Sequence, residues 1–173
     1  MPTKETVVVI SFVGRSGVGK TTLIERLIPL LTEKGLRVGV IKHHHLDFEI
    51  DKPGKDTYRY KQAGAGIAML VSPTKIALVE DTPAELALEE IVVRFIHHVD
   101  LLIVEGFKKE KLPKIEVFQA KEGAGEPVCA GDKNLVAIVT DEPLATKLPV
   151  FSRDDVEGVA RFIVTRFVET RPS

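Results

Sequence analysis

The segment Gly14-Arg15-Ser16-Gly17-Val18-Gly19-Lys20-Thr21 constrains this chain more than any other. It has the spacing G-x-x-x-x-G-K-[ST], and at average composition four fixed positions of that kind arise by chance in fewer than about one chain in a hundred of this length. A continuous apolar, β-branched run precedes it over residues 7–13, and that pattern suits a strand covered on both faces in a parallel sheet. After it Leu23, Ile24, Leu27, Ile28 and Leu31 recur at helical spacing up to Gly35, with Pro29 expected to kink the last turns. Strand, glycine loop and helix in that order make a phosphate cradle, the P-loop.

The chemistry follows from the residue types. Glycines let the backbone wrap closely around an anion, so the amides from Gly14 through Arg15, Ser16, Gly17, Val18 and Gly19, with the helix N-terminus, meet phosphate charge. Lys20 reaches the β- and γ-phosphates of a nucleoside triphosphate, Thr21 offers its hydroxyl to Mg²⁺, and Thr22 contacts the α-phosphate. The Arg15 side chain is read as solvated.

A second magnesium ligand belongs at the end of a buried strand beside the P-loop strand. Glu105 fits, because residues 99–104 are hydrophobic and end in this acid, and Gly106 can then present an N–H to the γ-phosphate. An ordinary charged strand end is the bland alternative. Asp56 and Thr57 follow the second strand, where a magnesium-sensing segment would sit, yet an N-cap aspartate opening a short helix explains Asp56 equally well. Asp141 follows the strand over residues 135–139, where a carboxylate can accept from both N1–H and the 2-amino group of guanine. A solvated loop aspartate before Pro143 is the competing reading.

Beyond the loop, strands over residues 37–41, 99–104, 115–118 and 135–139 alternate with helical patterns. Such alternation predicts an α/β fold, a P-loop NTPase with a mostly parallel, doubly wound sheet and helices on both faces. Strand-like residues 67–71 and 76–79, separated by Ser72-Pro73-Thr74-Lys75, read as a hairpin inserted at a sheet edge. Pro83 is expected in the first turn of a helix carrying Leu86, Ile91, Val92 and Phe95, and a final helix carries Val156, Val159, Ala160, Ile163, Val164 and Phe167. The glycine-rich residues 121–134 form a long loop. A length of 173 residues predicts a single domain spanning residues 1–173.

Composition excludes several classes of function. Lys and Arg number 24 against 25 Asp and Glu, so no basic stripe exists to neutralise a nucleic-acid backbone. No apolar run approaches the roughly 18 residues of a membrane span, and the start of the chain lacks a signal-peptide cleavage site. One cysteine, Cys129, permits no disulfide within the chain, so a reducing, cytoplasmic setting is expected, with Cys129 itself a buried apolar residue or a reactive thiol. His43-His44-His45 with Asp47 invites a transition metal, but alternate residues of an extended chain face opposite ways, so at most His43 and His45 address one ion.

GRSGVGKTT, the loop IKHHH followed by DKPGKDTYRYKQAGA, and the strand VDLLIVEGFK together resemble the MobB family, the molybdopterin-guanine dinucleotide biosynthesis adaptor proteins. The combination of Lys42-His43, Pro53-Gly54-Lys55-Asp56-Thr57 and Ala63-Gly64-Ala65 after the P-loop is its most specific part. The resemblance implies a homodimer that binds GTP and Mg²⁺, at most a slow GTPase. It would assist the molybdenum cofactor guanylyltransferase that attaches GMP to molybdopterin, with molybdopterin or its dinucleotide as a further ligand. It supports Asp56 and Glu105 as metal ligands and Asp141 as a base contact. The histidine triplet departs from the pattern and keeps a nickel-delivery GTPase as a second reading. A P-loop small-molecule kinase is a third, for which no arginine-rich lid is visible.

Overall fold

The computed structural model describes residues 7–44, 46–120 and 125–170. The chain forms two compact units, one from Met1–His43 and His98–Ser173, the other from His44–His97.

In the first unit, β1 (Val8–Val13), β2 (Val38–Lys42), β5 (Leu101–Glu105), β6 (Lys114–Val117), β7 (Leu135–Val139) and β8 (Val150–Phe151) make a six-stranded sheet. The order is β2-β5-β1-β6-β7-β8 and every pairing is parallel. From β1 the chain crosses to the edge strand β2, returns to β5 between them, and then passes over β1 to β6, β7 and β8, so the switch point of the topology lies at the carboxyl end of β1, the usual place for a ligand in such sheets. Ile10, Phe12, Leu101, Leu102, Ile103 and Val104 are completely buried, as strands of a parallel sheet covered on both faces should be. This is the α/β fold of P-loop NTPases.

Helix α1 (Lys20–Glu33) lays Leu23, Ile24, Leu27 and Leu31 on the sheet and continues through Pro29; α4 (Val156–Ile163) packs beside it with Val156, Val159, Ala160 and Ile163. Both share one core with Ile10, Phe12, Ile103, Ile115 and Val139. Each side chain of that size, once buried, contributes about 1.5–3 kcal/mol of transfer free energy. Residues 164–168 continue α4 as one π-helical turn, closed by the Glu169 amide on the Val164 carbonyl at 3.0 Å.

A smaller cluster of Val13, Phe118, Cys129, Leu135 and Ile138 lies apart from that core. Beside it, β6 carries two charged residues with almost no exposure, Lys114 and Glu116. The Lys114 ammonium donates to the Glu110 carbonyl and to Asp132, both at 2.7 Å. The Glu116 carboxylate accepts from the amides of Val128 at 2.5 Å and Cys129 at 2.8 Å. These bonds pin the described part of the glycine-rich loop to the sheet. Cys129 is buried there, the apolar one of its two readings, and burial, seconded by the nearby Glu116 carboxylate, pushes its thiol up.

The second unit contains α2 (Asp56–Gln62), β3 (Ile67–Val71), β4 (Ile76–Glu80) and α3 (Leu88–Phe95). Three expectations are corrected here. The hairpin β3–β4 is a two-stranded sheet of its own and adds to no edge of the larger one. Its turn is closed by the Ser72 amide on the Lys75 carbonyl at 2.8 Å, with the Ser72 hydroxyl accepting from the Lys75 amide at 3.0 Å. Pro83 precedes the third helix rather than opening it: α3 begins at Leu88, where the Glu90 carboxylate satisfies the Ala87 amide at 3.0 Å. Asp56 is the first residue inside α2, and the N-cap is Lys55, without a side-chain bond. Lys61 ties helix to hairpin within this unit, donating to the carbonyl of Ala65 and to Asp81.

Among the described residues no helix is long and apolar enough to cross a membrane.

Two changes test the buried charges of β6. Glu116→Ala strands two amides without acceptors and should cost about 2–4 kcal/mol, read as a lower midpoint in urea unfolding. Asp132 is held below the usual carboxylate range by the Lys114 ammonium that donates to it, then by the Asn134 amide. Its contribution is therefore complete above the unfolded carboxylate pKa of about 3.9 and is lost as pH falls through the lower folded value. Asp132→Asn should lower stability at neutral pH, and the gap to the parent should close in strong acid; a gap independent of pH would contradict the pairing.

Candidate functional site

The loop from Gly14 to Thr22 leaves the carboxyl end of β1 and enters α1. Gly14, Gly17 and Gly19 have φ values of +141°, +78° and +91°, which bend the chain into the ring of amides an anion requires. At Gly14 space is also decisive, since a Cβ there would overlap the Val117 carbonyl oxygen of β6. The Lys20 ammonium lies within this ring, donating to the carbonyls of Arg15 at 2.8 Å and Gly14 at 3.4 Å. Burial pushes Lys20 below the ordinary lysine range, Glu105 opposes that, and Lys108 and Lys42 reinforce it. Cations crowded this way gain from an anion placed among them.

Thr21 and Glu105 come together as expected. The Thr21 hydroxyl donates to the Glu105 carboxylate, 2.9 Å from one oxygen and 3.2 Å from the other. Pairing brings them close: β1 and β5 are in register Phe12↔Glu105, so the acid sits level with the strand residue two before the loop. A hydroxyl and a carboxylate are hard oxygen donors, the set that fits Mg²⁺.

Lys42 was not singled out from the sequence as a site residue. It closes β2, pairs in register with Glu105, and places its ammonium 3.7 Å from that carboxylate and 3.5 Å from the Thr21 hydroxyl. A lysine at a strand end is usually solvated, and only the β2–β5 pairing, invisible in the sequence, gives it this position.

Gly106 has φ +107° and its N–H donates to the Phe12 carbonyl at 3.0 Å, so this amide serves the sheet rather than facing a phosphate. Its small size matters instead: a Cβ would stand 3.1 Å from the His43 Cβ. The His43 ring in turn lies 4.3 Å from that of Phe107. His44 bonds locally to Leu46, and His45 lies outside the described residues. Among the described residues no group of three His, Cys, Asp or Glu is placed to hold a metal.

Asp56 and Thr57 belong to the second unit, where Asp56 is largely exposed and faces Arg59 at 3.8 Å. Asp141, in the first unit, accepts the Arg153 amide at 3.0 Å through one carboxylate oxygen. Arg153 was also missed. It follows the two-residue strand β8, and its guanidinium donates to the Val18 carbonyl at 2.6 Å and to the Gln119 side chain at 3.0 Å.

This geometry can be set beside known proteins. Residues 9–141 match the family described as Molybdopterin guanine dinucleotide synthesis protein B. The chain belongs to the MobB family. It is 38% identical over 170 residues to the molybdopterin-guanine dinucleotide biosynthesis adapter protein of Escherichia coli (strain K12), covering 95% of each chain. The adapter protein of Haemophilus influenzae is 36% identical over 151 residues, 87% of this chain and 84% of that one. Among solved structures, the crystal structure of a molybdopterin-guanine biosynthesis protein B superposes with a TM-score of 0.73 at 33% identity, covering 91% and 99% of the two chains. That of Bacillus subtilis MobB gives 0.73 at 28% identity, over 92% and 98%. The family match spans the loop, Lys42, Glu105 and Asp141, and stops before Arg153.

The two loop glycines give a graded test. Nothing stands within 4 Å of a Cβ at Gly17, so Gly17→Ala should cost only the left-handed penalty of about 1–2 kcal/mol. Gly14→Ala adds a backbone overlap and should cost clearly more, measured as the drop in thermal midpoint of each variant.

Proposed function

We propose that this chain binds GTP with Mg²⁺ in the loop from Gly14 to Thr22 and acts as an adapter in molybdopterin-guanine dinucleotide biosynthesis, assisting the guanylyltransferase that attaches GMP to molybdopterin. The observation that carries the reading is the joining of a glycine-bent anion ring, the Lys20 ammonium and the Thr21–Glu105 oxygen pair at one point. Membership of the MobB family supports the pathway, since relatives aligned over most of the chain are named as adapters in it.

In this reading Lys20 would neutralise phosphate charge, and Thr21 with Glu105 would hold the Mg²⁺. Bound Mg²⁺ supplies charge neutralisation at the phosphates. Asp141 reads the guanine edge with the lone pairs its bond to the Arg153 amide leaves available. The protein works as a homodimer: Ile67, Leu70, Val71 and Ile76 of the hairpin are each more than half exposed, and an apolar strand pair of that kind favours a covering partner.

Titration should show magnesium-dependent GTP binding, weakened at least about tenfold by Lys20→Ala, the equivalent of roughly 1.4 kcal/mol. Glu105→Gln should lower the affinity and remove most of its sensitivity to EDTA. In reconstitution with the guanylyltransferase, molybdopterin and GTP, the parent chain should raise dinucleotide yield and Lys20→Ala should not. Affinity for ATP equal to that for GTP would remove the guanine assignment, and monomeric light scattering at micromolar concentration would remove the dimer.

A further inference from the structure

The two threonines where the loop enters α1 meet different surroundings. Thr21 faces Glu105 and Lys42, a cluster of hard oxygens and a cation. Its neighbour Thr22 faces the other way, into a cleft of about 220 Å³ whose lining includes Val117, Val139, Arg26 and Arg153. Val117 and Val139 are almost completely buried at the carboxyl ends of β6 and β7, so the cleft meets apolar residues there. The cleft thus joins an apolar floor to charged side chains, Arg26, Arg153 and Asp154, and a purine, flat with polar edges, suits such a lining.

Arg153 is the fixed element of this cleft. Its guanidinium is planar, and hydrogen bonds to such a group lie near its plane. Two acceptors on different segments, the Val18 carbonyl of the loop and the Gln119 side chain after β6, hold two of its nitrogens. Its own amide is held by Asp141. The two guanidinium bonds fix the orientation of the plane, the amide bond fixes the backbone that carries it, and the half-buried side chain lines the cleft. Arg26 nearby is drawn to Asp154 at 3.1 Å and so is already paired.

We propose that Arg153 is a base-positioning residue, its guanidinium face packing against the purine of a nucleotide whose phosphates lie in the loop from Gly14 to Thr22. The inference rests on the nucleotide-binding reading and extends it by naming a residue outside the family match. Stacking on a π face is indifferent to which purine is present, so Arg153 supplies affinity for the base and Asp141 the choice between bases. The hydrogen bond from the Arg153 backbone amide to the Asp141 carboxylate makes one the mount of the other.

The alternative is that Arg153 only braces the loop through Val18. Calorimetric titration with Mg²⁺ and GTP, ATP or inorganic tripolyphosphate separates the two, because tripolyphosphate has phosphates and no base. Arg153→Ala should weaken both nucleotides by about tenfold and change tripolyphosphate affinity less than about threefold. Arg153→Lys keeps a donor for Val18 but lacks the planar face, and should recover less than half of the lost nucleotide binding free energy. Should Arg153→Ala fail to fold, Gln119→Leu releases one anchor and should weaken the nucleotides alone, by about threefold. Equal losses for all three ligands, or none, would overturn the proposal while leaving the nucleotide reading intact. A parent chain that binds neither GTP nor tripolyphosphate would overturn both.

Discussion

The parallel pairing of β1 between β5 and β6 is the constraint on which the site depends. Side chains of β1 and β5 are buried on both faces, and a slip of one residue would move every one of them to the opposite face. The same slip would carry Glu105 about 3.3 Å along the strand and turn it away from Thr21. Burial of Ile10, Phe12, Leu101 and Ile103 therefore does two things at once: it stabilises the sheet and sets the distance between a hydroxyl and a carboxylate 84 residues apart. On the other side, the β6 backbone at Val117 approaches Gly14 so closely that only glycine fits. The loop is shaped by its neighbours as much as by its own sequence.

What could be read from the sequence was local. The loop, the helix after it and the acid closing a hydrophobic strand each lie within a few residues of the pattern that reveals them, and all stand where the pattern placed them. Lys42, Arg153 and the charges of β6 could not be read this way, because their roles come from pairings across the sheet. The segment Lys114-Ile115-Glu116-Val117 alternates charged and apolar residues, the sign of a strand with one wet face, yet both faces are covered. Strand β8, two residues long, is below the length at which periodicity means anything, and with it the setting of Arg153 was invisible. The late start of α3 has a similar cause, since a glutamate three residues inside the helix satisfies the amide before it, and Pro83 stays outside.

The charges of β6 also link the fold to the site. Lys114 and Glu116 lie two apart and share a face, while Ile115 and Val117 face the helices. A hydrocarbon pair there would avoid the cost of taking charges out of water, but it would leave the amides of Val128 and Cys129 without acceptors. Holding those amides keeps the Pro127–Ala130 turn against the sheet, and that turn runs through Asp132 straight into β7. The end of β7 leads into Thr140 and Asp141, so the buried charges bear on where the carboxylate that holds the Arg153 amide stands.

The furnishing of the site bears on what an adapter is asked to do. Hydrolysis of a triphosphate needs a group that orients water in line with the bond to be broken, in addition to cations that stabilise the transition state. Among the described residues of the first unit, the acid in contact with Thr21 is Glu105, whose carboxylate accepts the Thr21 hydroxyl and lies 3.7 Å from the Lys42 ammonium. Around that pair stand the Lys20 and Lys42 ammonium groups and the Thr21 hydroxyl. In the proposed reading such a set serves to hold phosphate charge and metal, and the chemistry of transfer belongs to the partner enzyme.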